Sequence, residues 1–193
     1  MRTLGKFSDL PKLPFDVPSE VMAAASKIKL ALFDVDGVLT DGTLLYGEAG
    51  EQTKAFNALD GHGLKILQQS GIKVGIISAR KSLALQTRLS DLNIAHSFLG
   101  VNDKRAVFME LISSLQLKPQ QCAFTGDDVI DLPVMMECGL KFSVQNGHFI
   151  VRDFADWVAP FSGGHGAVRA ICDVLLYSQK TYPINLQIDS SSQ

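Results

Sequence analysis

Two carboxylates stand one residue apart in the stretch LALFDVDGVLTDG (Leu30–Gly42). Asp34 and Asp36 come directly after four apolar residues, and a third acid, Asp41, is close behind. A second acidic group, Asp127, Asp128 and Asp131, lies in TGDDVID. Between the two groups, Ser78 ends the run KVGIIS, with Ala79 and Arg80 next, and Lys104 follows GVND. Taken singly, each feature has an ordinary reading: an acid after a strand as a turn or helix cap, Ser78 as a turn hydroxyl, Lys104 as a solvated charge. Gathered on one rim, the carboxylates would repel and raise each other's pKa. A divalent cation removes that penalty. An all-oxygen ligand set suits Mg²⁺, which keeps several waters and commonly bridges to phosphate.

The pattern between these residues is what would gather them. Strand-like apolar runs occur at Lys29–Phe33, Lys73–Ile77, His96–Leu99, Gln121–Thr125, Leu140–Val144 and Trp157–Ala159. They alternate with helical periodicity near 60–70, 82–91, 103–115, 131–138 and 165–178, the fourth with Pro133 in its first turn and Gly139 just past its end. Such alternation predicts βαβ units and a parallel sheet covered on both faces. Right-handed crossovers then place every strand's C-terminal end on one edge, where ligands bind at the reversal of strand order. The expected fold is therefore α/β, a Rossmann-like doubly wound parallel sheet with helices on both faces. One stretch breaks the rhythm: GTLLYGEAGEQTKAF (Gly42–Phe56) has β-prone residues around a Gly-Glu-Ala-Gly centre and reads as a hairpin flap at the ligand edge. Neither the interval from Asp34 to Ser78 nor that from Ser78 to Lys104 has room for a separate cap domain. The expected organisation is an arm and short helix over 1–26, with Ser19 able to cap the helix in PSEVMAAASKIK. A catalytic domain over 27–179 follows, with the flap at about 42–56, and then a C-terminal tail over 180–193.

The totals exclude several classes. The 193 residues suit one domain, and a net charge of -2 gives no general attraction to nucleic acid or anionic membrane. No apolar run approaches the roughly 18 residues of a membrane-spanning helix. The opening MRTLGKFSDLPKLPFDVPSEVM has no h-region, so the expectation is a cytoplasmic protein without membrane or nucleic-acid partners. Cys122, Cys138 and Cys172 lie far apart without metal-ligand spacing and read as packing residues in a reducing compartment.

DVDGVLT resembles the DxDGxxT signature of haloacid dehalogenase-like phosphatases. IISAR, Lys104 and GDDVID match that family's second, third and fourth motifs in order, over about residues 29–178. AFNALDGHGLK, GDDVIDLPVM and GGHGAVRAICDVLL are similar to the branch that acts on 3-deoxy-D-manno-octulosonate 8-phosphate. The resemblance implies hydrolysis of a sugar-acid phosphate monoester in lipopolysaccharide biosynthesis, with a nine-carbon ulosonate 9-phosphate as the alternative substrate. It implies Mg²⁺ held by Asp34, the backbone carbonyl of Asp36 and Asp127, with Asp128 or Asp131 supporting them. It further implies that Asp34 is the nucleophile and forms an aspartyl-phosphate, and that Asp36 protonates the departing sugar oxygen and then deprotonates water. Ser78 and Lys104 would donate to the transferring phosphoryl group. Substrate contacts carry over to Asn57, Asp60, Gly61, Lys65, Arg80, Arg88 and Lys104, an Arg fork being suited to a carboxylate. The resemblance also implies a homo-oligomer, a tetramer in which neighbours close an open rim and flap residues Leu44, Leu45 and Tyr46 are buried between subunits. Three positions depart from the branch pattern: Leu59 stands where relatives often have Arg, His165 replaces an Arg, and Ala170 replaces a Glu. A phospho-Asp receiver module shares the sheet, acidic cluster, hydroxyl and lysine. A receiver, however, has its acidic pair on strand one and its phosphoacceptor on a later strand, whereas here DxD-Gly comes first and GDDxxD last. A non-catalytic homologue is opposed by the presence of every motif residue.

Overall fold

Alternate residues of the central strand face two separate cores. In the computed structural model, which describes residues 10–48 and 50–182, Leu30 and Leu32 of β1 (Leu30–Phe33) join one buried cluster and Ala31 and Phe33 the other. No polar face remains, as a parallel strand covered on both sides requires. β2 (Leu45–Gly47) and β3 (Gly50–Thr53) form a separate antiparallel hairpin. β4 (Lys73–Ser78), β5 (His96–Leu99), β6 (Cys122–Gly126), β7 (Leu140–Ser143) and β8 (Trp157–Val158) complete a six-stranded sheet of order β5-β4-β1-β6-β7-β8. Every pairing in it is parallel. The chain builds outward from β1 to β5 and then returns to place β6 on the other side of β1. Strand order therefore reverses between β1 and β6, which is where a sheet of this kind opens a crevice.

Helices α1 (Ser19–Ala25), α2 (Ala58–Gln69), α3 (Leu83–Asp91) and α7 (Ala167–Gln179) cover one face. Helices α4 (Lys104–Ser114), α5 (Leu132–Met135) and α6 (Phe149–Phe154) cover the other. The doubly wound sheet expected from the sequence is the one observed, and each strand begins and ends within a residue or so of its apolar run. Three local expectations differ. Ser19 does not cap α1; it is the first helical residue, its hydroxyl donating to Glu20 Oε2 at 3.2 Å, and Pro18 occupies the capping position. The helix expected over 131–138 is a 3₁₀ turn (Val129–Asp131) followed by the short α5, because the chain must swing Asp131 inward before it can continue. Gly139 is not that helix's cap: its N–H donates to Pro119 O and Cys122 O at 3.0 and 3.1 Å, closing the loop onto β6. The six-residue α6 was not anticipated.

The irregular segment before α1 lies against the domain. Trp157 Nε1 donates to Asp16 O at 3.1 Å, the Phe15 and Trp157 rings are 5.5 Å apart, and Tyr177 Oη donates to Pro11 O at 2.7 Å. Residues 1–9 of the expected arm and 183–193 of the expected tail lie outside the described residues. All three cysteines are free and buried, and burial pushes the Cys122 thiol up to about 11, which leaves it inert. Among the described residues no helix is long and apolar enough to cross a membrane.

Candidate active site

β1 ends at Phe33, and Asp34 follows with its N–H on Thr125 O of β6 at 3.0 Å, so the sheet ladder itself delivers this carboxylate to the rim. The chain then turns back sharply. Leu39 and Thr40 both donate their N–H groups to Val35 O, at 2.9 and 3.0 Å. The buried Thr40 Oγ1 accepts from Gly37 N and Gly42 N at 3.4 and 3.3 Å, which gives the motif threonine a structural task. Gly37 is required for space and conformation: its φ is +92°, and a Cβ there would lie 2.0 Å from Asp127 Oδ2. From behind, Gly163 approaches so closely that a Cβ would meet Gly37 O at 1.8 Å, and Gly164 N donates to Val38 O at 3.0 Å.

On the neighbouring strand, β6 ends at Gly126 and Asp127 follows. Fully buried Asp131 sets the turn, its Oδ2 accepting from Asp127 N at 3.0 Å and Asp128 N at 3.4 Å. Asp128 itself is exposed and accepts from Val129 N at 2.7 Å. Lys104, the first residue of α4, is carried in by a helix start that Asp103 caps through Ala106 N at 3.0 Å. Its Nζ lies 2.9 Å from Asp34 Oδ1 and 2.7 Å from Asp131 Oδ1. Ser78, buried at the end of β4, accepts from Arg80 N at 3.2 Å.

Asp34, Asp127 and Asp131 offer carboxylate oxygens that all lie within 4.8 Å of one another. Burial, reinforced by the Asp131 charge, pushes Asp34 up to about 7 despite Lys104, whose shorter contact goes to Asp131. Burial, with the charges of Asp34, Asp131 and Asp128, pushes Asp127 up to about 8. For Lys104, burial opposes the charge, but Asp34 and Asp131 outweigh it and hold the pKa above its ordinary value. Among the described residues Asp127 Oδ1 is buried with no hydrogen-bond partner. An unpartnered, buried carboxylate oxygen is costly unless something positive meets it. Both oxygens of Asp131, by contrast, are engaged by Lys104 and two N–H groups. The donor set fits a hard divalent cation, with Asp34 and Asp127 able to supply carboxylate oxygens and Asp131 steadying the turn and the lysine beside them.

The carboxylate of Asp36 stands apart from that trio. Its Oδ1 is ion-paired with Lys54, which follows β3, and it faces a cavity of about 300 Å³ shared with Asp34, Leu44, Ser78, Arg80, Asp127 and Ile130. Leu44 thus lines the cavity rather than projecting outward with Leu45 and Tyr46, which are 52% and 63% exposed. Arg80 donates from Nη1 to Tyr46 Oη at 3.1 Å.

The other expected substrate contacts gather elsewhere within this chain. Asn57 caps α2, accepting from Leu59 N and Asp60 N at 2.8 and 3.4 Å. The buried Asp60 accepts from Gly166 N at 3.2 Å and Arg169 N at 2.7 Å, which caps α7 and ties it to α2. Arg88 donates to Asn57 O at 3.2 Å and stands 5.8 Å from the Phe56 ring centroid, and with Gly61 these residues border a small crevice. Lys65 is exposed on α2 and lines neither space. The structure brings Arg80 and Lys104, but not Asn57, Asp60, Gly61, Lys65 or Arg88, to the carboxylate rim of their own chain, because the polar groups of Asn57, Asp60 and Arg88 hold the helices together. Sequence reasoning missed Lys54: it lies 18 residues from Asp36, and only the return of the flap joins them.

No family model matches the sequence. The curated 3-deoxy-D-manno-octulosonate 8-phosphate phosphatase KdsC of Escherichia coli is 42% identical over 163 residues, covering 84% of this chain and 87% of the relative. The crystal structure of the 3-deoxy-D-manno-octulosonate 8-phosphate phosphatase from Yersinia pestis superposes with a TM-score of 0.84 at 41% identity, covering 86% of this chain and 90% of that one. The Moraxella catarrhalis enzyme, solved in complex with a magnesium ion, a phosphate ion and a KDO molecule, gives a TM-score of 0.83 at 38% identity, with 86% and 95% covered.

Proposed function

The chain belongs to the 3-deoxy-D-manno-octulosonate 8-phosphate phosphatase family of the haloacid dehalogenase superfamily, and on that footing we propose that it is a Mg²⁺-dependent phosphoric monoester hydrolase acting on that sugar-acid phosphate. The observation that carries the reading is the convergence of Asp34, Asp127, Asp131 and Lys104 at the strand-order reversal. Asp34 and Asp127, with the backbone carbonyl of Asp36, would hold Mg²⁺, which when bound neutralises the carboxylates and the phosphoryl charge. Asp34 attacks phosphorus and becomes the aspartyl-phosphate. Asp36 gives a proton to the departing sugar oxygen and takes one from the water that hydrolyses the acyl phosphate. Lys104, kept cationic by its two carboxylates, and Ser78 would donate to the equatorial oxygens. Arg80 is the cation at the cavity mouth for the substrate's own carboxylate.

We assign catalysis to residues 27–179 and a packing role to the segment before them, supported by the contacts of Asp16 and Pro11 with Trp157 and Tyr177. The protein is proposed to work in the cytoplasm as a homotetramer. The open cavity and the exposed flap residues Leu45 and Tyr46 support a neighbour covering the site. The test is phosphate release with Mg²⁺ over a panel of sugar phosphates that includes the eight-carbon 8-phosphate and nine-carbon 9-phosphate ulosonates. Preference for the first, abolished in a folded Asp34→Asn variant, is expected; turnover by that variant would refute the nucleophile assignment.

A further inference from the structure

We propose that Lys54 is a positioning residue that aims the Asp36 carboxylate, making the foot of the flap part of the acid–base machinery. The proposal rests on the phosphatase reading above and deepens it. Lys54 Nζ is ion-paired with Asp36 Oδ1, and the lysine side chain is only 1% exposed while Asp36 keeps 19%. A lysine removed from water to that extent is not a solvated surface charge; such burial is tolerated when a carboxylate meets it. Lys54 comes directly after Thr53, the last residue of β3, so the pair fastens one strand of the flap to the loop that carries Asp34 and Asp36. The other strand is fastened by Tyr46 Oη, which accepts from Arg80 at 3.1 Å. These ties matter because the flap is a two-stranded sheet on its own, an arrangement that is marginal in water.

The chemical consequence follows from the two oxygens of a carboxylate. With Oδ1 held by the ammonium group, Oδ2 is left for proton exchange. In the first half-reaction, Asp34 forms a bond to phosphorus as the P–O bond to the sugar breaks, and the proton on Asp36 goes to that sugar oxygen. In the second, a water O–H proton returns to Asp36 as its oxygen bonds phosphorus and the Asp34–phosphorus linkage breaks. Without Lys54 the Asp36 side chain is free to swing toward the cation site beside it, and both transfers lose their alignment.

The experiment compares Lys54→Met with wild type on two esters that differ in leaving group: the ulosonate 8-phosphate, whose alkoxide needs a proton, and p-nitrophenyl phosphate, whose phenolate does not. With the sugar ester, kcat should fall by about 10²–10⁴-fold, the usual worth of acid–base catalysis, with KM little changed. With p-nitrophenyl phosphate, a burst of one nitrophenolate per active site should survive at near wild-type rate and give way to a slow steady state, because only hydrolysis of the acyl phosphate still needs Asp36. In an Asp36→Asn background, Lys54→Met should cost nothing further. A sugar-ester kcat like wild type overturns the proposal, as does loss of burst and steady state together, which marks a general structural role. If Lys54→Met is insoluble, Lys54→Leu, which also lacks a donor, is read in the same assay, and an unchanged sugar-ester kcat there overturns it equally. Wild-type protein that releases phosphate from neither ester with Mg²⁺ removes the phosphatase reading itself.

Discussion

Magnesium binding to the metal-stripped protein should expel about two protons at pH 6 and almost none at pH 9. The number comes from Asp34 and Asp127, pushed up to about 7 and about 8 by burial and by their acidic neighbours. At pH 6 both are mostly protonated, and a cation that takes their oxygens must displace those protons. Repulsion adds to the effect of burial: like charges no more than 4.8 Å apart at an effective dielectric of about 20 repel by at least about 3.5 kcal/mol. The linkage has a definite sign. These acids are raised in the folded state, so without metal the fold is best supported below the unfolded carboxylate pKa of about 4, and that support drains away as pH climbs through about 7 to 8. Calorimetric titration in buffers of different ionisation enthalpy gives the proton count directly. Melting of the EDTA-treated protein between pH 5 and 9, with and without Mg²⁺, gives the stability arm, in which the Mg²⁺ increment should grow with pH. Release of less than about half a proton at pH 6, together with a melting temperature that ignores pH in the absence of metal, would refute the reasoning.

Lys104→Met strands Asp34 and Asp131 as buried charges, so the metal-free protein should lose about 3–5 kcal/mol in urea denaturation at pH 8, with kcat down by at least about 10²-fold; a loss below about 1 kcal/mol would show that the lysine is not what balances the cluster. Gly37→Ala puts a methyl group into the space of Asp127 Oδ2 at a φ of +92°, and Mg²⁺ affinity measured by titration should fall by more than about tenfold; an unchanged affinity would mean the loop can move aside. Leu45→Asp should lower the sedimentation coefficient and the activity together, whereas a variant of unchanged size would take the flap out of the subunit contact.

The sheet was legible because its central strands are buried on both faces and so read as unbroken apolar runs; Leu30–Phe33 and Cys122–Gly126 announce themselves in that way. Asp34, Ser78, Lys104 and Asp127 were legible as the polar residues that close or follow such runs. What the pattern could not carry was the identity of partners made by tertiary return. Asp60 also caps α7, accepting from Arg169 N more than 100 residues away, a partner that no local pattern announces. Asp128 and Asp131 were both read as supports for the ligand residues, and the sequence did not say which; in the fold Asp131 is the one whose oxygens meet Lys104 and the Asp127 turn. Lys54 carried no local mark at all. The short α6 escaped because six residues, FIVRDF, are too few to establish a period.

The glycine pair behind the catalytic turn leaves that turn no slack. Gly163 and Gly164 press on the backbone of Gly37–Asp41, and Asp60 pins the start of the helix that leads away from them. Bulk added there would push Asp34 and its neighbours out of register as one body. Adaptation to a longer or shorter sugar acid is therefore confined to the opposite side, where Leu44, Arg80 and Ile130 border open space and Tyr46 accepts from Arg80. The same reaction can be handed new substrates by redrawing the doorway while the masonry at the back stays as it is.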